Sequence, residues 1–165
     1  MRARNGSRGF TMIEMMVVVV LLAIFASFAI PSFVNMINNA KLQSTSNELA
    51  SLLQYARSTA VQNNTSYTVC LSDSVWSVKK GANCDATEEL RNLTPVTDIT
   101  IGRSASAVPM VFAPNGTTSN SPGIILCRGD KPAEGYKITV RNSGNIRVAN
   151  RGVNESGAAL TSCTP

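Results

Sequence analysis

The 165-residue sequence contains no histidine and one tryptophan, and aromatic residues make up only 5% of it. Without histidine, the chain lacks the side chain that most readily transfers protons near neutral pH and a common zinc ligand. The carboxylates and lysines are scattered and form no recognisable catalytic constellation. We therefore expect no enzymatic activity, no catalytic residue, no metal and no cofactor. The single tryptophan, Trp76, and Tyr136 are expected to pack in the core or the hairpin rather than to serve as adhesin contacts.

Acidic residues are absent from the first 13 positions, whereas Arg2, Arg4 and Arg8 lie there. The formal net charge of +5 depends on these arginines, because removal of residues 1–9 leaves twelve Lys and Arg against ten Asp and Glu, a net charge of +2. Bulk charge therefore gives no argument for nucleic-acid binding. Arginines before an apolar segment instead keep the N-terminus in the cytoplasm and direct the remainder across the membrane.

The longest apolar segment covers residues 10–30, whose only charged residue is Glu14. At ~1.5 Å per residue, a helix of this length can cross the ~30 Å hydrocarbon core of a bilayer. A carboxylate in such a segment costs roughly 2.5–3.5 kcal/mol at mid-bilayer, so we expect Glu14 to face a partner. A removable secretory signal and a simple anchor are the alternative interpretations, but neither needs Glu14.

The apolar segment is followed by Pro31, which predicts a kink or a local break around residues 26–31. Apolar residues then recur at helical spacing up to Ala60, with polar and charged residues on the other faces. Together these segments predict one helix that is apolar all round over residues 10–30 and amphipathic over residues 31–63. Asn63 and Asn64 are expected to end it.

Residues 64–165 consist of short β-type runs separated by turn residues. The last two runs flank Asn142-Ser143-Gly144, a good hairpin turn. The polar stretch over residues 79–97 is predicted to be a long loop. The expected fold class is α+β, with the long N-terminal helix packed on a small antiparallel sheet. The predicted strands are residues 67–71, 75–78, 98–101, 110–112, 124–127, 136–141 and 145–149.

The four cysteines, Cys70, Cys84, Cys127 and Cys163, all lie in the part expected outside the cytoplasm, where disulfides form. Four cysteines permit three pairings. Loop closure favours Cys70–Cys84 and Cys127–Cys163, since the members of each pair are separated by short segments rich in turn residues. A zinc site is the competing interpretation, but the sequence has neither a C-x-x-C motif nor a histidine.

The stretch Gly-Phe-Thr-Met-Ile-Glu at residues 9–14, preceded by a short basic leader, resembles the class III signal peptide of type IV pilins and type II secretion pseudopilins. Pro31 lies where pilins often carry a helix-softening proline. The Leu-Leu-Gln-Tyr-Ala-Arg-Ser run at residues 52–58 is similar to the helix of FimU/FimT minor pilins and the H-type pseudopilin. The order Phe112-x-Pro114-x-Gly116 is similar to the same proteins. Together, these motifs extend the resemblance over most of the chain.

The resemblance implies that a prepilin peptidase cuts off residues 1–9 between Gly9 and Phe10 and methylates the new amine of Phe10. The subunit would then be a single-pass inner-membrane protein with a cytoplasmic N-terminus and a periplasmic domain over residues 64–165. An inner-membrane assembly platform would place it in a pilus on the cell surface, where its partners are other minor and major pilins. Glu14 would pair with the Phe10 amine of an adjacent subunit and set register. Snorkelling of Glu14 to the interface is the plain alternative.

The function that this resemblance implies is a minor pilin that primes or joins a type IV pilus, which serves adhesion, twitching motility and DNA uptake. A minor pseudopilin of type II secretion is one alternative. Another is a DNA-binding minor pilin, for which the candidate residues are Lys137, Arg141, Arg147 and Arg151. Against it, the chain lacks the G-R-x-R element of DNA-binding FimT-like pilins, and basic residues on an exposed strand are commonly an ordinary solvated surface.

Overall fold

The structure is a computed structural model that describes residues 9–86, 88–104, 107–118 and 120–165. The expected leader therefore lies outside the described residues, apart from Gly9. The chain divides into two compact units, one up to Asn38 and the other Asn39–Pro165. One helix, α1 (Met12–Gln62), contributes its N-terminal half to the first unit and its C-terminal half to the second.

Helix α1 begins and ends close to the predicted positions. Thr11 caps it, because the backbone N–H of Glu14 donates a 3.3 Å hydrogen bond to Thr11 Oγ1. The helix continues through Pro31, so the alternative of a local break was wrong, and a kink there stays a prediction. By length and composition it could cross a membrane, since its most apolar window has a mean hydropathy of 2.7.

The second unit contains two antiparallel sheets of four strands each, where one small sheet was expected. The first sheet has the order β3-β2-β1-β5 and the second the order β4-β6-β7-β8. The fold is thus α+β, as predicted. The strands are β1 (Tyr67–Ser72), β2 (Val75–Lys80), β3 (Glu89–Leu93), β4 (Ile99–Arg103), β5 (Met110–Phe112), β6 (Gly123–Arg128), β7 (Tyr136–Val140) and β8 (Ile146–Val148).

Strand β3 corrects the prediction of a loop over residues 79–97. It lies at the edge of its sheet and, among the residues that the structure describes, pairs only with β2. Most of its side chains remain in solvent. Only Leu90 and Leu93 pack against the core. Hydrophobic alternation is the main sequence signal for a strand, and an edge strand with a polar surface scarcely shows it.

The core of the second unit lies between the C-terminal half of α1 and the inner faces of both sheets. Trp76 is 1% exposed and belongs to this core, and Tyr136 packs against it half-buried, as expected. Helical spacing places a single row of small and aliphatic side chains of α1 against the strands. The helix contributes Leu42, Leu49, Leu53, Ala56 and Ala60, and the strands contribute Val69, Val78, Phe112, Ile124, Leu126 and Ile138.

Candidate functional site

The N-terminal segment places its candidate residues at the start of α1. Phe10 is 77% exposed, and Glu14 lies exposed in the first helical turn. Thr11 and Glu14 have the spacing of a capping box, of which the threonine half is formed. Among the described residues, no cationic group lies within 4.0 Å of the Glu14 carboxylate.

The apolar half of α1 has no cover from the described residues of the chain. None of its most apolar window is buried, and large side chains are exposed from Met12 to Ile37. Each such side chain is worth roughly 1.5–3 kcal/mol when it is fully removed from water. This part of the helix is therefore suited to lipid or to packing against other chains and not to water.

The four cysteines form Cys70–Cys84 and Cys127–Cys163, each with a Cα–Cα distance of 5.8 Å. This is the pairing that loop closure favoured. The first bond ties β1 to the segment that follows β2. The second ties the C-terminal tail to β6 and closes a sequence separation of 36 residues.

The C-terminal tail, residues 150–165, lies over the outer face of the second sheet. Leu160 is 9% exposed and packs against Ile125, while Ile124 on the opposite face of β6 packs in the main core. Gly102 leaves room for the tail, since a Cβ atom there would collide with the Cys163 carbonyl. Strand β6 is thus buried on both faces, which explains its uninterrupted apolar sequence.

The structure brings three of the four candidate DNA-binding residues to the outer face of the β7–β8 hairpin. Arg147 lies opposite Thr139 in the register, and Lys137 and Arg141 share the face of Thr139. The Thr139 hydroxyl is buried and has no hydrogen-bond partner among the described residues. The three cationic side chains Lys137, Arg141 and Arg147 make this face, called the hairpin basic face below, suited to an anion.

Two of the candidate cations have acidic partners within the chain. Arg141 lies 3.4 Å from Glu155 of the tail. Arg151 lies 3.5 Å from Glu134 and also donates a 3.0 Å hydrogen bond to Asn39 on α1, so it braces the helix instead of joining the hairpin basic face. Solvent-exposed ion pairs contribute little, roughly 0–1 kcal/mol, so Glu155 holds Arg141 only weakly.

Arg57 has a role that sequence reasoning missed. Its Nε donates a 3.0 Å hydrogen bond to the Gly116 carbonyl, and its Nη2 donates a 3.2 Å bond to the Ser143 carbonyl. One guanidinium thereby fastens the loop before β6 and the hairpin turn to α1. Gly144, with φ +74°, completes the contact because a side chain there would strike the Gly116 carbonyl. The only feature of the sequence that pointed to this role of Arg57 was its place in the run at residues 52–58.

Two sequence families match the chain. Residues 45–144 match the family described as Type II transport protein GspH. Residues 4–30 match the prokaryotic N-terminal methylation motif. No curated protein sequence matches the chain.

Several solved structures share the fold. The type IV minor pilin FimU of Pseudomonas aeruginosa matches in one crystal form with a TM-score of 0.63 and 26% identity, over 78% of this chain and 98% of that one. A second crystal form of FimU matches with a TM-score of 0.61 and 28% identity, over 74% of this chain and 99% of that one. The minor pseudopilin EpsH from the type II secretion system of Vibrio cholerae matches with a TM-score of 0.53 and 12% identity, over 66% of this chain and 96% of that one. At this identity the likeness shows the fold alone.

Proposed function

Because the chain belongs to the GspH family of type II transport proteins and is a type IV minor pilin or pseudopilin, we propose that it is a minor pilin that primes assembly of a type IV pilus or is incorporated into it. The likeness to FimU supports the pilus, since the identity there is 26–28% against 12% for EpsH. The family consists of structural subunits, and the chain acts without catalysis, metal or cofactor in this proposal.

The proposed life cycle begins in the inner membrane. Prepilin peptidase cuts between Gly9 and Phe10 and methylates Phe10, in agreement with the methylation motif over residues 4–30. Residues 10–30 cross the membrane, residues 31–63 continue the helix, and residues 64–165 form the periplasmic domain. This order is supported by the uncovered apolar half of α1 and by the disulfides, which form in an oxidising compartment.

The proposed assembly step transfers the apolar half of α1 from lipid to the interior of a filament. Extraction of a bare apolar helix into water is prohibitive, so burial against the helices of neighbouring pilins must replace burial in lipid. Glu14 then pairs with the methylated amine of Phe10 in an adjacent subunit. A misaligned helix would leave this carboxylate without a partner in apolar surroundings, so the pair sets register.

A deletion strain tests the proposal against both alternatives at once. We expect loss of surface fibres, with secretion of folded proteins unchanged, and restoration of the fibres when the full chain is supplied again. Normal fibres with defective secretion would establish the type II secretion alternative instead. Normal fibres with loss of transformation alone would favour DNA capture. The measurements are electron microscopy of fibres, exoprotein activity in the medium and transformation frequency.

DNA binding is the second candidate function, and the hairpin basic face favours it. We expect the purified full chain in detergent to shift duplex DNA in a gel, with a log–log salt slope of about −0.9 for each phosphate contacted. Arg141→Ala with Arg147→Ala should abolish the shift, whereas the matched control Arg151→Ala should retain it because Arg151 braces α1. Absence of a shift at low salt would rule this candidate out.

A further inference from the structure

Strand β8 presents an open edge of the second sheet. It is the last strand in the order, and within the described ranges of the chain it has β7 as its only neighbour. The backbone N–H of Arg141 donates a 2.9 Å hydrogen bond to the Asn145 carbonyl, and the N–H of Ala149 donates a 2.8 Å bond to the Lys137 carbonyl. These two bonds fix which residues of the β8 segment bond to β7. By antiparallel alternation, the backbone N–H and C=O groups of Ile146 and Val148 point away from β7. These groups are available to another strand.

A groove lies beside this edge, between Asn145 and Ile146 on one side and the flank of α1 on the other. The groove has a volume of about 560 Å³. Val61 on its helical wall is 50% exposed, and Val148 on the edge strand is 36% exposed. A fifth strand alongside β8 would lie over this flank and bury these apolar side chains. The groove, called the edge groove below, is lined by Gln54, Arg57, Ser58, Val61, Gln62, Asn145 and Ile146.

The edge groove carries one uncompensated positive charge. Arg57 is the only charged residue among the described residues that line it, and it is half-buried. Its bonds to the Gly116 and Ser143 carbonyls use two of the five N–H donors of a guanidinium. No carboxylate in the described part of the chain lies within 4.0 Å of it. A carboxylate is the group whose geometry best matches the remaining donors.

We propose that the edge groove binds an extended segment of another pilin subunit, which adds to β8 as a fifth strand. The segment carries an aspartate or glutamate that bonds to Arg57 and an apolar side chain that packs between Val61 and Ile146. Backbone hydrogen bonds to Ile146 and Val148 supply affinity, and the carboxylate supplies selectivity. This inference rests on the proposed incorporation of the chain into a pilus.

Site-specific photo-crosslinking of the full chain in piliated cells tests the inference. A photoreactive amino acid at Val148 should give an adduct with another pilin subunit. The matched position Thr100 is exposed on β4, the opposite edge of the same sheet, and should give none. In the chain labelled at Val148, Val61→Glu should lower the adduct at least about tenfold through repulsion of the incoming carboxylate, whereas Val61→Lys should retain it.

The outcomes separate this inference from the proposed function. Presence of the labelled chain in sheared filaments without an adduct at Val148 would overturn the edge-strand contact and leave the pilin assignment intact. Equal adduct yields for Val61→Glu and Val61→Lys would overturn the acidic partner. An adduct with a protein other than a pilin would overturn the proposal that the partner is a pilin subunit. Absence of the chain from all filaments would defeat its proposed incorporation into the pilus, on which this inference rests.

Discussion

Glu14→Ala is expected to leave the chain in the inner membrane and to remove it almost completely from pili. Alanine is favourable in an apolar helix, so insertion should not suffer. The substitution removes the carboxylate that has no cationic partner among the described residues and that we propose pairs with the Phe10 amine of an adjacent subunit. Without this pair, the correct register of the helix against the neighbouring subunit is no lower in free energy than other registers.

Immunoblots of membrane fractions and of sheared filaments measure this effect. Glu48→Ala is the matched control, since Glu48 is an exposed glutamate of the same helix and accepts a 3.2 Å hydrogen bond from Ser44. It should appear in filaments in normal amounts. Mass spectrometry should show that both variants begin at Phe10, so that a processing defect is not mistaken for an assembly defect. Normal incorporation of Glu14→Ala would contradict the proposed pairing.

Replacing both Cys127 and Cys163 with serine is expected to release the C-terminal tail and to lower the free energy of unfolding by about 4 kcal/mol. The value follows from the entropy of a loop closed over 36 residues. Release would also remove Leu160 from Ile125 and uncover the outer face of β6. Denaturant unfolding of the full chain in detergent measures the stability, and limited proteolysis measures exposure of the tail.

The matched control replaces Cys70 and Cys84 with serine. This pair closes only 14 residues, so the same relation gives a loss of about 3 kcal/mol. The control variant should be destabilised while its tail stays resistant to protease, because the tail contacts remain. Equal resistance of the tail in both double variants would show that noncovalent contacts alone hold it.

Periodicity determined the elements that have a buried face. Helix α1 and strands such as β6 have apolar patterns that only a core or a membrane explains, and their positions followed from the sequence. Strand β3 has mostly exposed side chains, so its pairing with β2 carried no such pattern. The division of the strands into two sheets also escaped prediction, since sheet partners depend on contacts between distant residues.

The candidate residues differ in the same way, according to whether they lie close together or far apart along the chain. The N-terminal residues Gly9, Phe10 and Glu14 were found from a contiguous motif. The register of the hairpin places Arg141 and Arg147 on one face. Arg151 bonds instead to Asn39, which lies 112 positions away along the chain, a contact that no local pattern indicates.

By itself, the amino-acid sequence determined the long helix, the motif at its start and the class of fold, and it favoured one of three cysteine pairings. These follow from short-range spacing and from the free energy of removing apolar side chains from water. Only the tertiary structure decided which cations share a face, that Arg57 fastens two loops to α1, and that β8 leaves an edge and a groove uncovered. Hydrogen bonds and ion pairs between distant residues depend on distances in space, and those distances arise only when the sheets pack on the helix.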